Sequence, residues 1–499
     1  MFRRVLSYSP MMLLALCLVP ATAVARTDAC SPTKPSPMNT NVNIPDVGNP
    51  TTPLSGVADG WVLLYEDSSF QVLSDEVYCQ GNAIQFASSV EETNFNPNPD
   101  CTTLTCTKAV ETGSASTVVL RGRFGNFNTF LWSGDVAGFT VIHAFTGIDG
   151  AFPVAKLILD AAGTLYGTTA LGGASNSGTV FKLDTSGRGT VLYNFRGMTD
   201  GNTPRGGLVL GSTGILYGTT VNGGTAWQGV VFKLDTSRGE TVLHNFTNWP
   251  RDGAYPYGGL VRDSAGNFYG TTQAGGSLGY GTVFKMDGNN VVTMLHSFTN
   301  RDGANPLYET LLMDGSGNLY GTTYAGGNLN CNAPYGCGTV FKVDPSGTET
   351  VLHIFAGGTT DGCKPFGGVA TDRSGNLYGT TESCGTGGGG TVWKVSLTTE
   401  AVLYNFTNGT DGGHPIAGVV LDNSGNVYGV TQYGGASGKG TIFKVDTNGR
   451  ETVLHSFTSS SDGANPIGGL LLDPNNNLYG TASQGGSSGY GTVWSFHLQ

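Results

Sequence analysis

The sequence predicts an all-β protein dominated by a seven-bladed β-propeller. Three observations carry that expectation. A core close to LYGTT returns seven times through the last three quarters of the chain. Each return brings four short strand-like segments separated by turn residues. The two ends of the array are complementary pieces of one unit.

The period comes first. The repeat tyrosines are Tyr166, Tyr217, Tyr269, Tyr320, Tyr378, Tyr428 and Tyr479, spaced 51, 52, 51, 58, 50 and 51 residues apart. The one long interval holds an insertion, NLNCNAPYGC (328–337). The first strand type reads IGGLLLD (467–473), the second LYGTA (478–482), the third GTVWSF (491–496) and the fourth TVLHSF (452–457). One four-stranded sheet has two apolar faces and cannot bury both alone. Stacked radially, each blade covers its neighbours, which accounts for apolar runs such as LVL and LLL in place of strict alternation.

The array opens with a lone fourth-type strand, TVIHAF (140–145), and ends on a third-type strand, GTVWSF. Each type occurs seven times. The expectation is therefore a ring in which 140–145 completes the final blade and removes open sheet edges. A solenoid needs no such complementary ends.

Composition agrees. Glycine is abundant at 79 residues and charged residues are only 12%, with ample aromatics, which suits sheets and tight turns rather than disorder. A net charge of −11 argues against nucleic acid, which wants a basic stripe.

Four regions are expected. Residues 1–25 read as a signal peptide: Arg3 and Arg4, then an apolar run, then Ala23-Val24-Ala25 as a cleavage site. Export, with no membrane span after cleavage and no visible C-terminal anchor, follows. Residues 26–53 are a Pro/Asn/Thr linker. Residues 54–138 read as a small disulfide-pinned β region, and 139–499 as the propeller. Without Cys17, eight cysteines remain, an even number that favours disulfides in an exported protein. Cys30, Cys79, Cys101 and Cys106 precede the repeats; Cys331, Cys337, Cys363 and Cys384 lie in blades four and five. Each quartet allows three pairings. Cys331–Cys337 with Cys363–Cys384 is the preferred one in the second.

The first two strands, P-x-G-G-L-x-x-D-x-x-G-N-L-Y, resemble NHL-type propeller repeats. With LYGTT, the GG loop, GTVFK (338–342) and TVLH, the chain over 139–499 resembles the GloVer tandem-repeat family, exported proteins with varied anchoring modes. The resemblance implies the fold and export. It implies no biochemical activity.

What recurs in every blade serves the blade; what differs is the place to look for function. Asp149, Asp200, Asp252, Asp302, Asp361, Asp411 and Asp462 each precede Gly ahead of a first strand. A ring of carboxylates holding cations is one reading, but Asp-Gly turn chemistry accounts for them. The D-x-x-G-N turns lack the ligand pattern of a calcium loop. His143, His244, His296, His353 and His455, replaced by Tyr193 and Tyr404, share one strand position; one per blade, they do not converge with each other on a metal. No cofactor or metal is expected. No phosphate loop in a strand–helix context and no H-E-x-x-H element is present.

Two asymmetries stand out. Strand order puts the loops entering the first strand and those joining strands two and three on one rim. Trp227, Trp249, Tyr255, Tyr257, Tyr280, Tyr308, Tyr324 and Tyr335 gather there, and aromatic faces stack on sugars or apolar side chains. The innermost strands carry Gly-Gly in several blades, but Ala155-Lys156 in blade one and Tyr308-Glu309 in blade four, which places Lys156 and Glu309 toward the channel. The leading expectation is a monomeric, non-catalytic module binding carbohydrate or protein. The alternatives are a lyase- or lactonase-type enzyme using Glu309, Lys156 and His414, or a purely structural surface protein.

Overall fold

The computed structural model describes residues 138–498 except 212–213, 249, 251, 308–309 and 397–398, together with the backbone of short strands before residue 136. The chain divides into two compact units, 1–140 with 496–499, and 141–495. In the first, Glu76–Gln80 pairs antiparallel with Ala83–Ala87, and Thr117–Phe124 with Asn128–Asp135. Cys30, Cys79, Cys101 and Cys106 lie outside the residues whose side chains are described.

The second unit is a seven-bladed propeller of four-stranded antiparallel sheets. In blade one, Ile158–Leu159, Leu165–Thr169, Thr179–Leu183 and Gly189–Asn194 run from the axis outward. The seventh sheet is completed by Phe139–Ala144, which pairs beside Thr492–His497. At that seam the Phe145 N–H donates to the Gly491 carbonyl at 3.0 Å. The Velcro-like exchange expected from the complementary ends is thus the observed topology. Among the described residues no helix is long and apolar enough to cross a membrane.

Each second strand has the burial pattern set by its motif. In Leu165–Thr169 every side except that of Tyr166 is buried, and Thr179–Leu183 is buried but for Lys182. The paired threonines Thr169 and Thr179 face each other across the ladder, with hydroxyls 2.8 Å apart. The same pair recurs at Thr272–Thr282, Thr323–Thr339, Thr381–Thr391 and Thr431–Thr441. These hydroxyls are fully buried, so each must find a partner. The motif glycine is required by contact. A Cβ on Gly167 would come within 2.7 Å of the Phe181 ring and of Leu157.

The D-x-x-G-N turns are hairpin staples, as the sequence suggests. Asp314 Oδ1 accepts from the N–H groups of Ser316 and Asn318, and Oδ2 accepts from the Tyr320 hydroxyl at 3.0 Å. The repeat tyrosine thereby ties its strand to the turn before it.

Blades join through an aromatic pair that recurs at all seven seams. A Phe closing one blade meets the aromatic of the next blade's third strand: Phe195–Phe232, Phe246–Phe284, Phe298–Phe341, Phe355–Trp393, Phe406–Phe443 and Phe457–Trp494. The seventh pair, Phe145–Phe181, closes the ring at 5.1 Å between centroids. Steep interplanar angles put ring edges on ring faces, the favoured quadrupole arrangement.

Deleting residues 139–144 should leave Thr492–His497 as an open sheet edge and unlink blade seven from blade one. Size-exclusion chromatography should show loss of the monodisperse species. A deletion variant of unchanged elution and melting temperature would contradict the closure.

Candidate functional site

One rim carries a ring of seven equivalent residues, each immediately before the proline that opens a blade: Phe152, Thr203, Tyr255, Asn305, Lys364, His414 and Asn465. All seven adopt left-handed backbone, with φ between 53° and 60°. Non-glycine residues avoid this region unless the surroundings impose it. Here two hydrogen bonds impose it. The N–H of each donates to a carbonyl in the preceding blade, as in Tyr255 to Gln228 and Lys364 to Cys337, both 2.8 Å. The carbonyl of each accepts from the residue that follows the second strand, as from Gln273 to Tyr255 and Glu382 to Lys364, both 3.0 Å. The backbone is the same in every blade while the side chain differs.

The aromatics expected on this rim separate into groups. Tyr257 packs against the Arg205 guanidinium, whose carbon lies 5.7 Å from the ring centroid, and Phe152 takes the same cation at 5.8 Å. Tyr324 meets Phe366 edge-to-face at 5.5 Å and the Lys364 ammonium at 5.7 Å. Tyr255 occupies the ring itself. Tyr280 is half-buried against the core between blades three and four. Trp227 and Tyr335 stand out at 56% and 66% exposure. Trp249 and Tyr308 lie outside the described residues. Phe152, Arg205, Lys364 and Phe366 were missed in the sequence. The signal was present: the residue before each blade-opening proline varies while its surroundings do not.

Both disulfides have the preferred pairing, Cys331–Cys337 and Cys363–Cys384. They converge on Gly357, where an added Cβ would touch Cys331, Cys337 and Cys384 sulfurs. Cys337 supplies the carbonyl that holds Lys364, and Cys363 precedes Lys364 in the chain. The pair therefore brackets one rim residue.

The channel opens on the same rim. It is lined by innermost strands, among them Ala155, Lys156, Arg205, Gly207, Thr310, Gly368, Gly418 and Gly469. The cavity these residues line has a volume of about 80 Å³. Glycines are needed because neighbouring strands nearly touch: a Cβ on Gly206 would fall 2.5 Å from the Gly258 carbonyl oxygen. Lys156 is reachable by water yet surrounded by protein on all sides, and that crowding lowers its ammonium pKa. The contact with water tempers the shift. Glu309 lies outside the described residues, and His414 sits in the rim ring against Tyr433 at 5.5 Å. Among the described residues, no hydrogen bond or ion pair joins Lys156 to His414.

A second set of polar groups sits at the blade seams. Each Asp-Gly aspartate caps its own turn and binds the outer strand. Asp149 accepts from the Thr146 N–H and hydroxyl and lies 2.9 Å from His143 Nε2. Burial pushes this carboxyl up, but those hydrogen bonds outweigh it and hold it at about 2. His244, His296, His353 and His455 repeat the pair with Asp252, Asp302, Asp361 and Asp462. Tyr193 and Tyr404 replace the imidazole by a hydroxyl donated to Asp200 and Asp411. The structural role assigned to these aspartates is what their contacts show.

The next blade adds a residue the sequence reading passed over. The fourth strand opens on Glu349, Glu400 or Glu451 in three blades and carries Glu240 as its second residue in another, while Gly189 or Val292 opens it in two others. Each of these glutamates has a buried Oε1 with no hydrogen-bond partner. Burial, then the nearby Asp200 charge, pushes Glu240 up to about 7; burial and Asp411 do the same to Glu451.

Fold and rim together define a propeller whose seven blades hold six kinds of side chain in one backbone setting. The chain belongs to the Gloeobacter/Verrucomicrobia repeat family, whose model matches residues 116–335 and 330–499. No protein of curated function matches it in sequence. Among solved structures, it is similar to the extracellular domain of a hybrid two-component system from B. thetaiotaomicron: 12% identity, TM-score 0.47, 88% of this chain and 55% of that one. A gluconolactonase from Xanthomonas campestris gives 13% identity, TM-score 0.40, and 73% and 91% coverage. A luciferin-regenerating enzyme gives 13%, 0.39, and 72% and 96%.

Two outcomes follow from this geometry. The Cys363→Ser/Cys384→Ser double variant frees a loop of 21 residues, and chemical denaturation should show a loss on the order of 3 kcal/mol. Glu240 has a folded pKa above its usual 4.5, so the folded state holds the extra proton. Its contribution is complete below about pH 4.5 and is lost as pH rises through about 7. Glu240→Gln should therefore melt higher than the unaltered protein at pH 8 and flatten the decline between pH 5 and 8. An identical pH profile would refute the assignment.

Proposed function

We propose that this is an exported, non-catalytic binding module that holds carbohydrate through the rim carrying the blade-opening residues. The observation that carries the reading is the ring of seven left-handed positions. Backbone strain of this kind persists only where surrounding structure enforces it, and here it presents six kinds of side chain on one surface.

The side chains suit a sugar ligand. Trp227 and Tyr335 offer exposed rings for stacking. Asn305, Asn465, Lys364 and His414 offer donors and acceptors for hydroxyl groups. Arg205 between Phe152 and Tyr257 forms a rigid platform at the channel mouth. The two disulfides around Lys364 stiffen that sector, which reduces the ordering cost of binding. They also suit an oxidising compartment, in keeping with the apolar N-terminal run and its cleavage site. A protein surface is the alternative occupant of the same rim.

An enzyme reading rests on Lys156 together with Glu309, which lies outside the described residues, and His414. The crowded, water-reachable Lys156 ammonium is the sort of group that transfers protons. Its described surroundings are apolar side chains, backbone and Thr310, and Arg205 is the other charged residue lining that cavity.

The full chain on a glycan array should give selective binding. Trp227→Ala and Lys364→Ala should each weaken it by about tenfold or more, as for a stacking or anchoring contact. Lys156→Ala should leave it unchanged. Binding unaffected by both rim substitutions would reject the rim, and turnover lost in Lys156→Ala would favour the enzyme.

A further inference from the structure

We infer that two blade seams are binding sites for a divalent first-row transition ion, zinc being the best match. The sites are His296, Asp302 and Glu349 at the seam of blades three and four, and His353, Asp361 and Glu400 at the seam of blades four and five. In each, one imidazole nitrogen and two carboxylate oxygens lie within 4.8 Å of one another.

The three groups come from separate parts of the fold. The histidine is on the outer strand of one blade, the aspartate is in the turn that leaves that blade, and the glutamate opens the outer strand of the next. His296 Nε2 and Asp302 Oδ2 are 3.1 Å apart, and His353 Nε2 and Asp361 Oδ2 are 3.3 Å apart. Ligands at about 2.0–2.2 Å around one zinc ion stand at such separations from each other.

The glutamates supply the second observation. Glu349 Oε1 and Glu400 Oε1 are buried and have no hydrogen-bond partner. A buried carboxylate oxygen without a partner is costly, and an unplaced ion is one explanation for it. Each cluster brings two carboxylates to a half-buried seam; Asp361 is only 7% exposed. Two carboxylates and a neutral imidazole balance one divalent cation. Without a cation the two acids repel each other.

The aspartates are already positioned from behind. Asp302 Oδ1 accepts from the Thr299 N–H and hydroxyl, and Asp361 Oδ1 accepts from the Gly362 N–H. Such contacts orient a ligand before the ion arrives. Both histidines keep 17–18% of their side chains exposed, which leaves an entry path. Three protein ligands and an open position fit four-coordinate zinc. Calcium, which takes six to eight oxygens, is disfavoured by the nitrogen and the low ligand count.

The other seams are built-in controls. Glu240 and Glu451 face Tyr193–Asp200 and Tyr404–Asp411, which offer no nitrogen. His143 faces Gly189, where an added Cβ would lie 2.9 Å from its ring. Only the two seams flanking blade four combine all three ligands among the described residues.

The test uses metal-stripped full chain without a histidine tag. Calorimetry with Zn²⁺ should give two equivalents per chain, and Co²⁺ should develop visible absorption of low-symmetry sites. Glu349→Gln should remove one equivalent, Glu400→Gln the other, and the double variant both. Glu240→Gln should retain two. His296→Phe removes the nitrogen while keeping an aromatic edge against Phe298, and should also remove one. For variants that fail to fold, the unaltered chain decides: its melting temperature should rise with Zn²⁺ and return with chelator. No zinc response in the unaltered chain overturns the inference, because the seams then hold a proton instead. Binding that persists in the double variant overturns it equally.

Discussion

The seam between blades is the interaction on which everything else rests. A single four-stranded sheet of this sequence has apolar residues on both faces. It becomes stable only when a neighbour covers each face. The aromatic pair meets that need at every seam, edge-to-face at six and tilted at Phe457–Trp494, and it includes the seam formed by the first and last strands. Such pairs add roughly 0.5–1.5 kcal/mol beyond the area they bury. Around a closed ring each blade gains two of them, so each blade has a neighbour on both faces.

Much of this was legible in the sequence because the repeat multiplies its evidence. Seven copies of LYGTT fix a strand whose tyrosine ties to a turn and whose glycine lies under an aromatic ring. Complementary ends fixed the closure. The cysteine pairs followed from the inserted loop and the neighbouring blade. The rim was harder. Trp227 and Tyr335 are exposed as expected, but Tyr280 is part of the seam core. An aromatic letter does not reveal which way its ring points. The residue before each proline was overlooked because nothing about Phe, Thr, Asn, Lys or His announces a left-handed backbone. That conformation is imposed by a hydrogen bond from the adjoining blade, which is a tertiary fact.

The seam glutamates escaped notice for a related reason. The histidines lie a blade apart and never meet one another. The relevant neighbour was a different residue type, one period further along the chain. Reading position by position within a repeat finds what recurs. Reading across a seam requires pairing the end of one unit with the start of the next unit's outer strand. One set of charged residues is thereby placed where blades meet. Glu240 opposite Asp200 and Glu349 opposite Asp302 show how acids occupy a surface that hydrophobic packing alone would have closed.

The left-handed ring has a consequence for variation. In most surface loops, changing a side chain also changes the conformational preference of the backbone, so recognition and folding are entangled. Here the unfavourable dihedral is enforced by two main-chain hydrogen bonds that use no side-chain atom. Phe, Thr, Tyr, Asn, Lys and His all occupy the position with φ values within 7° of one another, from 53° to 60°. The ring therefore works as seven independent sockets. Residues can be exchanged there one blade at a time while the scaffold stays the same.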